Sequence, residues 1–205
     1  MNPINFSQNE DPRSPKGIAT AIVTNNKDPK GMGRIKITYT WDEDGYESYW
    51  ARVMSFMAGD DRGGYFLPEV NDEVVVGFIG GDIEFPLILG ALWNGQETPP
   101  ETNDDGENNI RKIKSRSGHE LIFNDTQSSE KIEIVSQSGH HITLDDSAGG
   151  EKITMEDKSG NSIEMDAVAN KITLKSSMQL SIEANIIEIK ADSMLTLKGG
   201  IVKIN

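Results

Sequence analysis

Four sets of residues in this 205-residue chain have types and spacings that could do chemistry. His119 and His140 stand 21 residues apart in equivalent places. Brought round a shared axis, several copies of either could hold an ion or a water. The favoured reading is plainer, with each imidazole at a chain corner bonding to backbone. Asp145-Asp146 and Asp42-Glu43-Asp44 could serve acid–base work or bind calcium. Catalysis needs such acids to converge in a pocket with shifted pKa values, whereas both runs sit in turn contexts and read as solvated turn acids. Residues 59–64, with Gly59, Gly63 and Gly64, lack the Gly-Lys-Ser/Thr ending and the helix of a phosphate loop, and read as a plain loop. Trp41, Trp50 and Trp93 could stack on bases or sugars. With a net charge of −13, a core or collar role fits them better, and repulsion from phosphate argues against nucleic acid as a partner. The absence of cysteine excludes disulfides and thiol catalysis.

The histidines belong to a repeat, and the repeat organises half the chain. Ser117-Gly118-His119-Glu120-Leu121-Ile122-Phe123 returns as Ser138-Gly139-His140-His141-Ile142-Thr143-Leu144, and again as Ser159-Gly160-Asn161-Ser162-Ile163-Glu164-Met165. The corner glycines Gly118, Gly139 and Gly160 are spaced 21 residues apart. A fixed period of this length marks a stacked architecture in which no single repeat buries its own apolar face. Each unit predicts two strands, the first carrying Leu121 and Phe123, Ile142 and Leu144, or Ile163 and Met165. The second strands start at Lys131, Lys152 and Lys171, and the third carries Ile172 and Leu174. The interval between the last two lysines is 19 rather than 21, which predicts a loop two residues shorter. Apolar residues at i and i+2 with Glu, Thr or Ser between them predict one buried and one wet face. Beyond Lys175 further short strands are expected, carrying Leu180 and Ile182, Ile187 and Ile189, Leu195 and Leu197, then Val202 and Ile204.

The first half reads differently. Residues 1–16 hold three prolines among polar residues and predict an extended lead-in. Residues 17–93 predict a compact barrel of short strands: Ile35, Ile37, Tyr39 and Trp41 alternate with polar residues, as do Val74, Val76 and Phe78. Residues 94–109 contain no apolar side chain except two prolines and read as a linker. No stretch sustains a helical period, so almost no helix is expected. No apolar run approaches the roughly 18 residues of a membrane span. No signal sequence is visible in residues 1–16, so synthesis in the cytoplasm is expected, with any export by a non-classical route.

Apolar residues make up only 36% of the chain, a shortage that burial shared between subunits would relieve. Each strand in residues 110–205 offers two inward apolar side chains, a thin ribbon for one chain. Three chains wound together would close three ribbons into a prism with a continuous apolar interior, a rod of roughly 50 Å at the usual strand spacing. Nearly every backbone group would pair between chains, giving a rigid assembly that unfolds slowly. A single-chain β-solenoid is the alternative.

The chain resembles the spike part of the VgrG family of type VI secretion and the related protein V baseplate spikes of contractile-tail phages and phage-like particles. The resemblance rests on Asp28-Pro29, Gly33-Arg34-Ile35-Lys36-Ile37, Trp41 and Tyr49-Trp50-Ala51-Arg52-Val53. It continues through residues 64–78, Gly80-Gly81-Asp82, Pro86, Gly90 and Asn94-Gly95, and spans residues 17–205. It implies an all-β protein: an N-terminal OB-fold barrel followed by an intertwined homotrimeric triple-stranded β-helix. The barrel would be a structural collar and the rod a needle at the end of an inner tube, driven through a target membrane by sheath contraction. A hub or baseplate protein would join on the N-terminal side. A PAAR-repeat cap protein would dock on the last strands, here Leu195, Leu197, Gly199, Gly200, Val202 and Ile204. The trimer core would take Leu121, Phe123, Ile142, Leu144, Ile163, Met165, Ile172, Leu174, Leu180, Ile182, Ile187 and Ile189.

Two departures from the family bear on this. Only about 16 residues precede the barrel, where VgrG proteins usually carry a large hub, so a separate hub protein or an excised piece is implied. The 94–109 linker is too short for the lysozyme domain some phage spikes insert there, and no effector domain follows Asn205. No histidine follows His141, so the His-x-His iron site of some phage spike tips is absent. Neither a catalytic residue, a cofactor nor a metal is expected. A trimeric fibre recognising surface glycans is the alternative, though the rod half has one aromatic residue, Phe123, for such a groove. A cell-wall hydrolase would need a positioned acid pair.

Overall fold

A computed structural model of the chain describes residues 17–204. The expected lead-in, residues 1–16, lies outside the described residues, as does Asn205. The chain forms two compact units that divide between Pro99 and Pro100.

In the first unit, short alternating segments form β1 (Ile18–Asn25), β2 (Lys36–Tyr39), β3 (Arg52–Val53), β4 (Ala58–Gly59), β5 (Arg62–Gly63), β6 (Glu73–Phe78) and β7 (Pro86–Leu92). Five of them make one sheet in the order β2-β1-β6-β7-β3, antiparallel except for the parallel β3–β7 pair. Ile35, just before β2, exchanges backbone hydrogen bonds of 3.0 and 2.8 Å with Ala51, just before β3. That bridge joins the two outer strands and closes the sheet on itself, removing its edges. Inside lie Ala21, Val23, Ile35, Ile37, Ala51, Val74, Val76 and Ile88, each 0 or 1% exposed. These fall at the i, i+2 positions of their strands, which point to one face of the sheet. Pro86 opens β7, as its missing N–H requires. A three-residue 3₁₀ turn, Ile79–Gly81, is the only helical segment among the described residues.

The loop from β1 to β2 is tied by one carboxylate. Asp28 accepts the Lys30 and Met32 backbone N–H groups at 2.9 and 3.0 Å and both Arg34 guanidinium nitrogens at 2.7 Å. The Arg34 pair, with the backbone N–H groups, holds the Asp28 carboxyl well below the usual carboxylate range.

The second unit is a meander. β8 (Ile110–Lys114), β9 (Glu120–Asn124), β10 (Lys131–Val135), β11 (His141–Asp145), β12 (Lys152–Glu156), β13 (Ser162–Asp166) and β14 (Lys171–Lys175) pair in sequence order, all antiparallel. Every repeat supplies two strands, and the 167–170 loop is two residues shorter than the 125–130 and 146–151 loops, as the lysine spacing predicts. Neighbours run antiparallel, so the strands do not form the stacked coils of a single-chain β-solenoid. Residues 176–204 contain no strand. The short strands expected there have no partner within one chain, and an unpaired strand in water gains nothing that offsets its ordering.

Candidate functional site

The in-register meander turns the period-two pattern into two apolar columns on one face. One column runs Ile113, Leu121, Ile134, Ile142, Met155, Ile163, Leu174. The other runs Phe123, Ile132, Leu144, Ile153, Met165, Ile172. Eleven of these thirteen side chains are more than a third exposed, from Ile132 at 36% to Ile172 at 74%. No described residue of the second unit is buried; all the buried apolar residues lie in the barrel. A sheet whose apolar face is open across seven strands exposes far more than the scattered apolar residues normal on a monomer.

The opposite face is polar. Across it Lys131, Asp145, Lys152, Asp166 and Lys171 are successive cross-strand partners with alternating charge. Like charges directly opposite would destabilise the ladder, and this alternation avoids them. Lys112 and Lys114 flank Glu120 at 3.4 and 2.8 Å. Arg111, opposite Phe123 at the end of the apolar face, pairs with Asp125.

The sheet's corners at one end are built alike. Gly118, Gly139 and Gly160 have φ of 92°, 92° and 81°, the left-handed region that favours glycine. Their N–H groups donate to the carbonyls of Ser115, Ser136 and Asp157 at 2.9–3.0 Å. The side chains of those same three residues accept the N–H of His119, His140 and Asn161 at 3.0 Å. His119 Nδ1 accepts the Gln137 N–H at 3.2 Å and His140 Nδ1 accepts the Lys158 N–H at 3.3 Å. Both histidines therefore bond to backbone at corners. In the third corner Asn161 Oδ1 accepts the Ser177 N–H at 2.9 Å. For the histidines that is the favoured reading of the sequence; the third member, Asn161, escaped it, although His, His and Asn at one repeat position were the visible signal.

The acidic runs are turn acids: Asp42 accepts the Asp44 and Tyr46 N–H groups, and Asp145 accepts that of Ser147. Hydrogen bonds from Ser147 lead the causes that lower the Asp145 pKa. Residues 59–64 are not the plain loop expected but belong to the β4–β5 hairpin. Met57 carbonyl lies so close to Gly63 that a Cβ there would collide with it, and the Phe56 ring covers Gly64. Trp41 stacks on Tyr39 with ring centroids 4.3 Å apart, and Trp50 carries Arg34 and Lys36 over its ring. Tyr39 donates its hydroxyl to the Ile83 carbonyl, and burial pushes its pKa up to about 12. Trp93 is exposed. Leu180, Ile182, Ile187, Ile189, Leu195, Leu197, Val202 and Ile204 are all exposed. No helix among the described residues is long and apolar enough to cross a membrane.

Residues 19–93 match the type VI secretion system/phage-baseplate injector OB domain, so the closed barrel is a domain of that class. The chain is also 32% identical over 134 residues to the type VI secretion system spike protein VgrG4b of Pseudomonas aeruginosa, covering 52% of this chain and 16% of that protein. It is 33% identical over 132 residues to VgrG5 of the same organism, covering 57% and 16%. With the actin cross-linking toxin VgrG1 of Vibrio cholerae it shares 33% over 108 residues, covering 49% and 10%. In its barrel and in these matches the chain is similar to VgrG and baseplate protein V spikes. The matches span a sixth or less of the length of these relatives.

Proposed function

We propose that this chain is a non-enzymatic, homotrimeric spike of a contractile injection apparatus, of the type VI secretion or phage-baseplate kind. The observation that carries this reading is the second unit, which has two columns of apolar side chains on one face and no buried residue among those described. Copies of the same chain supply the matching surface, because each brings an identical apolar ribbon with identical register. Residues 110–205 then form an intertwined triple-stranded β-helix whose interior is the apolar face and whose exterior is the charged ladder. The segment after Lys175 gains its strand partners from the neighbouring chains.

The mechanism is mechanical. A narrow rod paired throughout its backbone is stiff and concentrates an applied force on a small area of membrane. Sheath contraction supplies the energy, so no catalytic group or cofactor is required. Residues 17–93 act as a collar, facing a hub or baseplate protein and the inner tube. Leu195, Leu197, Gly199, Gly200, Val202 and Ile204 present the docking edge for a PAAR-repeat cap protein. The spike assembles in the cytoplasm and leaves with the apparatus, into or through the target membrane.

Light scattering on a sizing column tests the reading. A mass near 67.5 kDa, three times the chain's 22.5 kDa, is expected. A monomer of 22.5 kDa with intact strands would remove the shared core and with it the spike.

A further inference from the structure

We propose that His119 and His140 are acid-labile latches that tie successive repeats of the spike together, with Asn161 as the acid-insensitive version of the same latch. Each imidazole receives, on Nδ1, the first backbone N–H of the next repeat's corner: Gln137 at 3.2 Å and Lys158 at 3.3 Å. A nitrogen that accepts carries no proton, so each Nδ1 is bare while its bond is made. An imidazole that takes up a second proton donates from both nitrogens. Two donors then face each other at the corner, and the latch opens. Imidazole charges within the physiological range, so this bond is conditional in a way that a backbone ladder bond is not. The latched state binds fewer protons than the open one, so latch stability is present at high pH and is lost as pH falls.

The third repeat contains its own control. Asn161 stands at the histidine position, and its Oδ1 accepts the Ser177 N–H at 2.9 Å. An amide does not titrate, so this corner keeps its bond at any pH between 5 and 8.

Charged groups stand around both rings. Around His140 stand Lys158 and Asp157 of the following corner and His141 and Glu156 of the paired strands. Asp157 is held below the usual carboxylate range chiefly by Asn161, with His140 the last contributor. The corner after His119 has Ser136 where the next has Asp157, and Arg116, Lys114 and Glu120 lie on its own corner and strand ends. His141 is a different case: its Nε2 lies 3.6 Å from a Glu156 carboxylate oxygen, a pair that acid strengthens as long as Glu156 stays ionised. The inference concerns bonds within one chain and stands whether or not the chain trimerises.

Amide hydrogen exchange on the full chain at pH 7.5 and pH 5.0, corrected for the intrinsic pH dependence of exchange, tests it. Protection at Gln137 and Lys158 is expected to fall about two- to tenfold at pH 5.0, the range one net hydrogen bond supports. Protection at Ser177 is expected to hold. His119→Asn and His140→Asn, which copy the third corner, are expected to abolish the fall at Gln137 and Lys158 respectively. His141→Asn is expected to leave it in place. An equal loss at all three amides, no loss at Gln137 and Lys158, or a loss that persists in the asparagine variants overturns the proposal. The wild-type comparison against Ser177 decides the matter even where a variant fails to fold.

Discussion

Placing a carboxylate on the apolar face probes the proposed interior directly. Leu144 sits mid-column between Ile132 and Ile153 and is 38% exposed in the single chain. Full burial of such a side chain is worth about 1.5–3 kcal/mol, so covering its exposed part contributes roughly 1 kcal/mol. Over the eleven open side chains this is on the order of 10 kcal/mol per chain, or about 30 per trimer. In Leu144→Asp that contact is lost and a carboxyl enters an apolar interior, where its pKa rises by about 3–5. At pH 8 the ionised form then costs roughly 5 kcal/mol per chain, on the order of 15 per trimer. Adding Met165→Asp in the same column doubles this and cancels the gain from the face. The assembled-state pKa of each new carboxyl is raised, so trimer stability is retained below the unassembled value and lost as pH rises through the raised one. The single variant is expected to melt far lower at pH 8 than at pH 5, and the double variant to run at 22.5 kDa at pH 8. Thr143→Lys, on the polar face opposite Glu133, is expected to leave the mass unchanged. A double variant that still elutes at three times the chain mass at pH 8, with wild-type melting, refutes the idea that this face is covered.

Asp28→Asn removes the anion that Arg34 grips and is expected to lower the barrel's melting temperature at neutral pH, read by the fluorescence of Trp50 beside Arg34. Because the Asp28 pKa is depressed, its stabilisation is present above the ordinary aspartate value and fades as pH falls toward the lowered one. The wild-type advantage should therefore persist at pH 5 and shrink only in stronger acid. Gly139→Ala forces a side chain to φ 92° in a corner where the new Cβ meets only Lys158 Cβ at 3.8 Å, so the cost is backbone strain of about 1–3 kcal/mol that should appear as earlier loss of β-sheet circular dichroism on heating. Deleting residues 195–205 is expected to spare the trimer and abolish cap binding; retained binding of the cap protein would sink the docking assignment.

Much of the second unit was legible in its residues. The i, i+2 spacing of pairs such as Ile132 and Ile134 marked each strand, and the 19-residue lysine interval located the shortened loop at 167–170. These signals are local, set by the pleat and by the turn. The barrel's buried positions, Ile35, Ile37, Val74 and Val76, followed from the same alternation. The hairpin at residues 58–63 was missed because each of its strands is two residues long, too short to show any period. Corner positions bonding to backbone were legible for His119 and His140, but not which backbone groups they meet, because those N–H groups lie 18 residues away and no side-chain pattern reveals them.

By itself, then, the sequence determined an all-β chain with a barrel and a repeat whose glycines mark its corners, because pleat parity and left-handed turns are properties of a few adjacent residues. Tertiary structure decided what those pieces do together. Ile35 and Ala51 close the barrel across 16 residues, and antiparallel pairing lines up thirteen apolar side chains on one uncovered face. Register and closure are set by hydrogen bonds between distant backbone groups. Those groups are chemically alike at every residue, and only the folded chain shows which of them meet.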